Sequence, residues 1–408
     1  MSEPKLRFKN FNQALVNSPF ERYIKSSKYG PRFDANDYDL NGNVKTIRGT
    51  DVALDATIKY EQVPIANLPQ KLIDEHQLQE GDILMITTAD CGLSAVFEKQ
   101  EIPFIASAYA VRIVLNDSLD SLWVKYYLQT QHIINEVNKY VRKGTLSNLP
   151  LSDISKFSFT VPTLEEQTKI ASFLSAVDEK ISQLTEKHAL LSQYKQGMMQ
   201  KLFSQQIRFK ADDGSEFGEW GNKKLSEIAI KIKDGTHFSP KTLEIGEYKY
   251  LTSKNVKNGY LDFSNLEYVN KEEHLKIYSS CDVRHGDVLL TKDGTIGQCC
   301  VNTLHEEFSL LSSVAFLRLK SEYNNFFLYH LLVSDLGQKE IKGAIAGQAL
   351  KRITLTKIND FKFDFPCLAE QTKIANFLSA IDQKIEVVAQ QIEQAKTWKK
   401  GLLQQMFV

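Results

Sequence analysis

The sequence contains little that would support a covalent framework, a metal centre or a membrane anchor. Its five cysteines are odd in number and none is spaced as C-x-x-C, so we expect neither a disulfide framework nor a zinc site. No run of about 20 apolar residues is present to span a bilayer. The N-terminal sequence has no apolar stretch behind a basic head, which argues against a secretory signal. These absences predict a soluble, cytoplasmic protein.

The chain also lacks an excess of charge of either sign. Fifty basic and fifty acidic residues give a formal net charge of +0. Such a chain does not surround itself with a positive field that attracts any nucleic acid, although a local basic surface can still contact phosphates. At 408 residues it is long enough for two or three domains, each with its own core.

Sequence signatures of catalysis are missing as well. We find no N-P-P-Y-like methyltransferase motif, no G-x-G-x-x-G loop after a strand and no Ser/His/Asp or Cys/His constellation. The segment KDGTIG lacks the spacing of a phosphate-binding Walker loop. Glu340 and Lys342, with Asp335 upstream, are similar to an E-x-K nuclease site, but a three-residue match within a helical pattern is expected by chance. We therefore predict no catalytic residue, no metal and no cofactor.

What the chain does contain is a duplication with a period of half its length. PTLEEQTKIASFLSAVDEKI at 162–181 returns as PCLAEQTKIANFLSAIDQKI at 366–385. Gln167 thus corresponds to Gln371, an offset of 204 in a chain of 408 residues. This period is too long for a solenoid repeat. It indicates a duplicated two-part module with two equivalent working surfaces.

Each copy of the repeated segment opens a long helical pattern. Residues 164–203 and 368–407 carry apolar residues spaced alternately by four and three, which predicts coiled-coil pairing. Lys195 and Lys399 occupy the same seam position in the two copies. A polar seam residue commonly fixes the helical register, but a long lysine side chain can also extend to solvent, and the sequence leaves both possibilities open.

The segments before these helices are rich in short β-strand patterns such as DILMIT, DVLLT and VAFLRL, bounded by Gly, Asp and Asn. A helix is predicted to follow each strand-rich region, at 121–141 and 325–341. The predicted fold class is therefore α+β, with two similar mixed α/β domains joined by two long helices. The predicted boundaries are 1–148 for the first domain, 149–206 for the first helical region, 207–352 for the second domain and 353–408 for the second helical region.

This arrangement resembles the specificity subunit of type I restriction-modification systems over the whole chain. The resemblance depends on the paired P-x-L-x-E-Q-x-K-I-A segments at Pro162–Ala171 and Pro366–Ala375, and on DGTHFSP at 234–240, which is similar to a loop of one type of target recognition domain. The start of the first domain, PRFDANDYDLNGNVKTIRG, departs from the pattern because it lacks a DGTH-type loop.

The resemblance implies a specific mode of action. Each globular part would be a target recognition domain that reads one half of a split, asymmetric sequence in double-stranded DNA. The two helices would pack antiparallel, with pseudo-two-fold symmetry, and would set the gap between the half-sites. Two methyltransferase subunits would dock around the helices, and a motor-nuclease subunit would join them for restriction.

Polar loops provide the candidate DNA contacts. Arginine suits a bidentate contact to guanine and asparagine to adenine, whereas lysine suits phosphate. The alternative for every one of these positions is an ordinary solvated turn. The candidates are Arg48 and Thr50 beside Asp51 in the first domain, and Thr236, His237, Lys254, Asn255 and Lys292 in the second.

Two other interpretations remain open. The chain is also consistent with a coiled-coil scaffold that presents two protein-binding domains, which its neutral charge favours slightly. A recognition subunit of a related system, in which one partner polypeptide both methylates and cleaves, is the third. The sequence does not separate this last interpretation from the first.

Overall fold

The computed structural model describes residues 4–345 and 351–407. The chain forms two compact units, each of which combines a β-rich domain with parts of both long helices. The first unit comprises Met1–Thr185 with Gln390–Val408, and the second comprises Glu186–Ala389.

The first unit contains strands and short helices followed by the first long helix. Its strands are β1 (Val16–Pro19), β2 (Ile24–Tyr29), β3 (Val44–Ile47), β4 (Ile65–Ala66), β5 (Ile83–Ile86), β6 (Ser94–Val96), β7 (Phe104–Ala106), β8 (Ala110–Leu115) and β9 (Ser158–Val161). Its helices are α1 (Gln70–His76), α2 (Ser121–Tyr127), α3 (Gln131–Tyr140), α4 (Leu151–Ile154) and the start of α5 (Leu164–Phe203).

The second unit repeats this order of elements and adds a short hairpin. Its strands are β10 (Gly221–Lys224), β11 (Ala229–Asp234), β12 (Tyr248–Leu251), β13 (Val256–Lys257), β14 (Tyr260–Leu261), β15 (Glu267–Val269), β16 (Val288–Thr291), β17 (Cys299–Val301), β18 (Ser309–Leu310), β19 (Val314–Leu319) and β20 (Lys362–Phe365). Its helices are α6 (Leu225–Ile228), α7 (Lys271–Tyr278), α8 (Asn325–Val333), α9 (Asp335–Ala344), α10 (Leu355–Asp360) and the start of α11 (Leu368–Met406).

The two units share one sheet topology. An antiparallel four-stranded sheet has the order β2-β8-β5-β6 in the first unit and β11-β19-β16-β17 in the second. A three-stranded sheet with one parallel pair has the order β4-β3-β7 or β15-β12-β18. The prediction of an α+β fold with two similar domains and two long helices is confirmed.

Burial on both faces explains why the central strands are continuous apolar runs. In β5, Ile83 and Met85 belong to the core that faces the helices, whereas Leu84 and Ile86 belong to the core that faces the three-stranded sheet. Successive side chains of a strand point to opposite faces, so a strand between two layers must be apolar at every position. All four residues of β5 are accordingly buried.

The helices predicted at 121–141 and 325–341 are each interrupted, which corrects the expectation of one continuous helix. The break falls between α2 and α3 in the first unit and between α8 and α9 in the second. Thr130 and Ser334 cap the second helix of each pair, because their hydroxyl oxygens accept hydrogen bonds from the backbone of Ile133 and Gly337. A capping hydroxyl satisfies a free N–H group of a new helix, and it favours a restart over a continuous helix.

A buried ion pair attaches each domain to the first turn of its long helix. The Arg7 guanidinium donates to both carboxylate oxygens of Glu166, at 2.7 Å each. Arg208 donates to Glu370 in the same way at 3.0 and 2.7 Å, and the Trp220 indole adds a third donor at 3.2 Å. The side chains of Glu166 and Glu370 are 2% and 0% exposed. The arginine and tryptophan donors therefore replace the hydrogen bonds to water that these buried carboxylates lack.

The glutamine that follows each of these glutamates makes a second attachment. The side-chain oxygen of Gln167 accepts from the backbone N–H of Asp120 at 2.8 Å, and its amide donates to the Pro162 carbonyl at 3.0 Å. Gln371 accepts from the backbone N–H of Asn324 at 2.9 Å. Asp120 and Asn324 are the N-caps of α2 and α8. The repeated E-Q pair therefore joins the domain to the helix.

The two seam lysines form ion pairs across the helices within their units. In the first unit the Lys399 ammonium lies 2.7 Å from the Asp178 carboxylate, and in the second Lys195 lies 2.5 Å from Asp382. The lysine side chains are 14% and 16% exposed, so neither extends freely to solvent. Each pair joins the start of one long helix to the end of the other, which shows that the segments pack antiparallel within each unit.

One buried position beside these pairs differs between the units. In the first unit the Tyr126 hydroxyl donates to Asp178 at 2.9 Å. In the second unit His330 stands at the corresponding place. Its Nε2 lies 3.0 Å from the Ser379 hydroxyl, and its Nδ1 has no hydrogen bond to any part of the chain that the structure describes. Burial, with Lys195 as a second cause, lowers the pKa of His330 to about 3. Asp382 lies 3.9 Å away, but its charge is balanced by Lys195.

We predict that Arg208→Ala lowers the free energy of unfolding of the second unit by about 3 kcal/mol, because it leaves the buried carboxylate of Glu370 with too few donors. Hydrogen exchange in β10 and in the first turns of α11 would measure this. Lys210→Ala is the matched control, since its ion pair with Glu216 is exposed on both sides and contributes less than about 1 kcal/mol. Equal effects of the two substitutions would contradict the assigned role of the buried pair.

We also predict that acid destabilises the second unit through His330. The unfolded chain protonates this side chain below its ordinary pKa of about 6.5, whereas the folded imidazole remains neutral down to about pH 3. The free energy of unfolding should therefore fall as the pH falls, by about 2 kcal/mol between pH 7 and pH 5. Urea denaturation at both pH values should show this loss in the parent protein and not in His330→Tyr. The reciprocal variant Tyr126→His should add a similar acid sensitivity to the first unit.

Candidate nucleic-acid interface

Five segments of the second unit meet at one end of its four-stranded sheet, and we call them the second loop cluster. The bonds that join them centre on Ser313, whose carbonyl accepts from the backbone of Lys292 at 2.9 Å and whose hydroxyl accepts from the backbone of Ser253 at 3.0 Å. The segments are 235–238 after β11, 252–255 after β12, 292–295 after β16, 311–313 between β18 and β19, and 351–353 before α10.

Thr236 and His237 occupy different environments within this cluster. Thr236 is buried, and its backbone is held by the Leu310 carbonyl at 2.7 Å and by the Ser312 N–H at 2.9 Å. The His237 side chain is 73% exposed, and its Nε2 lies 3.3 Å from the Asp234 carboxylate. Thr236 therefore shapes the loop, while His237 is accessible to a ligand.

Lys254 and Asn255 divide in the same way. Lys254 is exposed. Asn255 is buried; its side-chain oxygen accepts from the Thr252 backbone at 2.9 Å, and its amide donates to the Asp262 carbonyl at 3.0 Å. Most of the hydrogen-bonding capacity of Asn255 is thus used to hold its own turn.

Lys292 is a buried cation between two carboxylates. Its side chain is 8% exposed, and its ammonium lies 3.2 Å from Asp234 and 3.4 Å from Asp293. Asp234 therefore faces both Lys292 and His237, so this part of the second loop cluster is largely neutralised from within.

The first unit brings together the corresponding segments, which we call the first loop cluster. Thr87 links three of them, since its N–H donates to the Tyr109 carbonyl at 2.9 Å and its carbonyl accepts from the Leu149 N–H at 2.8 Å. The Ser107 N–H donates to the Ile47 carbonyl at 2.9 Å. The segments are 30–33 after β2, 48–51 after β3, 87–89 after β5, 107–109 between β7 and β8, and 147–149 before α4.

Arg48 and Thr50 lie in the first loop cluster on a turn that Asp51 stabilises. The Asp51 carboxylate is fully buried and accepts from the Arg48 backbone at 2.9 Å and from its guanidinium at 3.1 Å. The hydrogen bond to Asp51 raises the pKa of Arg48, while 46% of the arginine side chain remains exposed. Thr50 is exposed, and its carbonyl accepts from Gln62 at 2.9 Å.

The first unit contains a counterpart of the DGTH loop, contrary to our expectation from the sequence. Gly30 directly follows β2 as Gly235 follows β11, and a Cβ atom at either glycine would lie about 2 Å from a backbone oxygen, that of Ala106 or Leu310. The segment Tyr-Gly-Pro-Arg-Phe therefore corresponds to Asp-Gly-Thr-His-Phe. This places Arg32, which sequence reasoning missed, at the position of His237. A glycine after a strand with phenylalanine three residues later was the available signal.

The described residues give no indication of a catalytic centre. Glu340 and Lys342 lie on α9, where Ile341 between them is buried in the core of the second unit. Among residues 4–345 and 351–407, no three His, Cys, Asp or Glu side chains are grouped so that they could hold a metal ion. Within the same residues, no helix has the length and apolar character needed to cross a membrane.

Comparisons with known proteins agree with this architecture. The family model for the type I restriction modification DNA specificity domain matches twice, at residues 24–192 and 218–397. The chain is similar to the type I restriction enzyme MjaVIII specificity subunit of Methanocaldococcus jannaschii, with 28% identity over 71% of this chain and 69% of that protein. It is also similar to the putative MjaX specificity subunit of that organism, with 26% identity over 83% of this chain and 80% of that protein.

A solved structure shares the fold. The S subunit of a type I restriction-modification system from M. genitalium covers 100% of this chain, and 99% of its own chain is covered, with a TM-score of 0.62 and 17% identity. Specificity subunits are the non-catalytic DNA-recognition components of systems that also contain methyltransferase and restriction subunits. With the family model matched in both halves, the chain belongs to the family of type I restriction-modification specificity subunits.

Proposed function

We propose that each loop cluster reads one half of a split, asymmetric site in double-stranded DNA. The observation that carries this proposal is the duplication of the loop cluster on one sheet topology, with different side chains in the two copies. Two similar surfaces with unequal side chains suit two unequal half-sites. Base readout requires donors and acceptors at base edges, whereas phosphate contacts only position the protein.

The candidate residues fall into two groups in this interface. The exposed side chains of Arg48, Thr50, His237 and Lys254 are placed to contact DNA. Thr236, Asn255 and Lys292 are buried, and we propose that they act at the interface by holding the loops in a fixed shape. Preorganised loops lose less conformational entropy on binding than mobile ones.

We propose that the two long helices set the gap between the half-sites. Helix α5 contains 40 residues and α11 contains 39, which gives rods of roughly 60 Å at 1.5 Å per residue. The ion pairs of Lys195 with Asp382 and of Lys399 with Asp178 fix the register of the helices within each unit. A fixed register between recognition domains translates into a fixed spacing of half-sites, as in dimeric DNA-binding proteins.

We further propose that a methyltransferase subunit docks on each unit and that a motor-nuclease subunit then joins the complex. In the second unit, α5, α8, α11 and the β13–β14 hairpin line a groove of about 1050 Å³. Tyr260, Phe326 and Val387 in its lining are 60%, 44% and 52% exposed. Exposed apolar side chains in a concave surface are typical of protein interfaces. Such a complex would work in the cytoplasm, on the DNA of the cell.

We predict that deletion of the gene removes methylation at one split, asymmetric motif in the source cell. Replacing residues 1–148 with the recognition domain of another family member should change one half of that motif and leave the other half and the gap intact. Genome-wide mapping of methylated bases measures both effects. A scaffold for two protein-binding domains would leave the map unchanged, and a change in both half-sites after the single replacement would contradict the division of the site between the units.

We also predict that Gly235→Ala and Gly30→Ala each abolish specific binding, because an added Cβ atom would overlap the Leu310 or Ala106 carbonyl and displace the loop. Gel-shift titration of the complex with methyltransferase subunits would measure the loss. Gly218→Ala is the matched control, since no atom of the described residues lies within 4 Å of its added Cβ. Normal binding by one of the loop variants would contradict a DNA-binding role for the loop cluster that contains the substituted glycine.

A further inference from the structure

Arg32 is a charged side chain that extends from a rigid loop and has no partner among residues 4–345 and 351–407. Gly30 before it is pressed against the Ala106 carbonyl, and its N–H donates to the Ala110 carbonyl at 3.0 Å. Pro31 is buried, and Phe33 packs edge-on against Tyr38 at 5.4 Å between ring centroids. Anchors on both sides therefore fix the backbone from which Arg32 extends into solvent.

The guanidinium of Arg32 retains its full donor capacity. Within residues 4–345 and 351–407, no side chain or carbonyl forms a hydrogen bond or ion pair with it. The nearest carboxylate in sequence, Asp34, caps the following turn by accepting from the Asn36 backbone at 2.8 Å. By comparison, Arg48 in the same loop cluster is bonded to Asp51.

The corresponding position of the second unit is arranged differently. There Asp234 precedes the glycine, and its carboxylate faces both His237 and Lys292. In the first unit Tyr29 takes the place of this aspartate, and its hydroxyl accepts from the Leu151 backbone at 2.9 Å. The first loop cluster thus has tyrosine where the second has the neutralising Asp234. Three residues later it has Arg32 where the second has His237.

A free guanidinium on a fixed loop suits one partner in DNA better than others. Its planar fork matches the O6 and N7 acceptors of guanine in the major groove, the commonest specific contact to a base. The fork also matches a phosphate, but phosphate contacts only position the protein, and flexible side chains of many kinds can make them. The rigid loop therefore favours base reading over simple charge attraction.

We propose that Arg32 donates a bidentate pair of hydrogen bonds to a guanine in the half-site read by the first unit. This inference deepens the proposed function and rests on it. It gives the first loop cluster a preference for guanine. The second loop cluster, with His237 at the corresponding position, lacks this preference.

The experiment uses the full chain with its methyltransferase subunits and duplexes that carry the methylated motif. Arg32→Gln should weaken binding roughly 10- to 100-fold and should accept other bases in place of that guanine. Replacing the guanine with 7-deazaguanine, which lacks the N7 acceptor, should weaken binding by the parent protein and have little further effect on the variant. Lys99→Gln removes an equal charge after β6, at the end of the sheet away from the loop cluster, and should bind like the parent.

The outcomes separate this inference from the function on which it rests. A first half-site composed only of A·T pairs would overturn the guanine contact. A second result would also overturn it: Arg32→Gln lowers affinity equally for all duplexes, and the slope of log affinity against log salt concentration falls by about one. That result is expected for the loss of a phosphate contact. Unchanged binding by the variant would overturn the inference while leaving specific recognition by the parent intact. A parent complex without sequence preference would overturn both.

Discussion

The structure depends most on the buried carboxylate in the first turn of each long helix. Glu370 is fully buried, and removing an ionised carboxylate from water is unfavourable unless several donors replace the lost hydration. Arg208 and Trp220 supply those donors from the segment that leads into the domain, and Arg7 does the same for Glu166. Because the geometry of a buried, bidentate pair is strict, it fixes the direction in which each helix leaves its domain. The positions of the loops relative to the helix follow from that direction.

This constraint gives the repeated E-Q pair a structural meaning. The repeated P-x-L-x-E-Q-x-K-I-A motif, one of the two features on which the family resemblance depends, lies outside both loop clusters. Its glutamate binds the arginine and its glutamine holds the N-terminus of α2 or α8. Further along the helices, the ion pairs of Lys195 and Lys399 join opposite segments of the seam. The nearly identical parts of the two copies are therefore those that join domain to helix and helix to helix. Their repetition maintains the architecture, while the loops are free to differ.

Sequence reasoning succeeded where local pattern and burial agree. The long helices were predictable from heptad spacing, and β5 and β16 from apolar runs that fill two cores. It failed where a distant contact decides the outcome. The role of Gly30 depends on the Ala106 carbonyl, some 76 residues away in sequence. The interruptions at Thr130 and Ser334 were missed because a hydroxyl within a helical pattern does not reveal whether it caps a new helix.

Two sets of matched positions show that the shared fold accepts side chains of different chemistry in the two copies. Tyr126 and His330 occupy corresponding positions in the two units. Tyr126 is hydrogen-bonded to Asp178 on α5, and His330 to Ser379 on α11. In the loop clusters, Gly30 and Gly235 correspond, and the residues around them differ. Tyr29 and Arg32 of the first cluster stand where Asp234 and His237 stand in the second. With tyrosine in place of the acid, Arg32 has no acceptor among the residues that the structure describes, so its donors are left for water or a ligand. The two loop clusters therefore share a backbone arrangement but differ in chemistry. Asp234 neutralises much of the charge of the second, whereas the first exposes the guanidinium of Arg32. That inequality is what the proposed recognition of an asymmetric site by one chain requires.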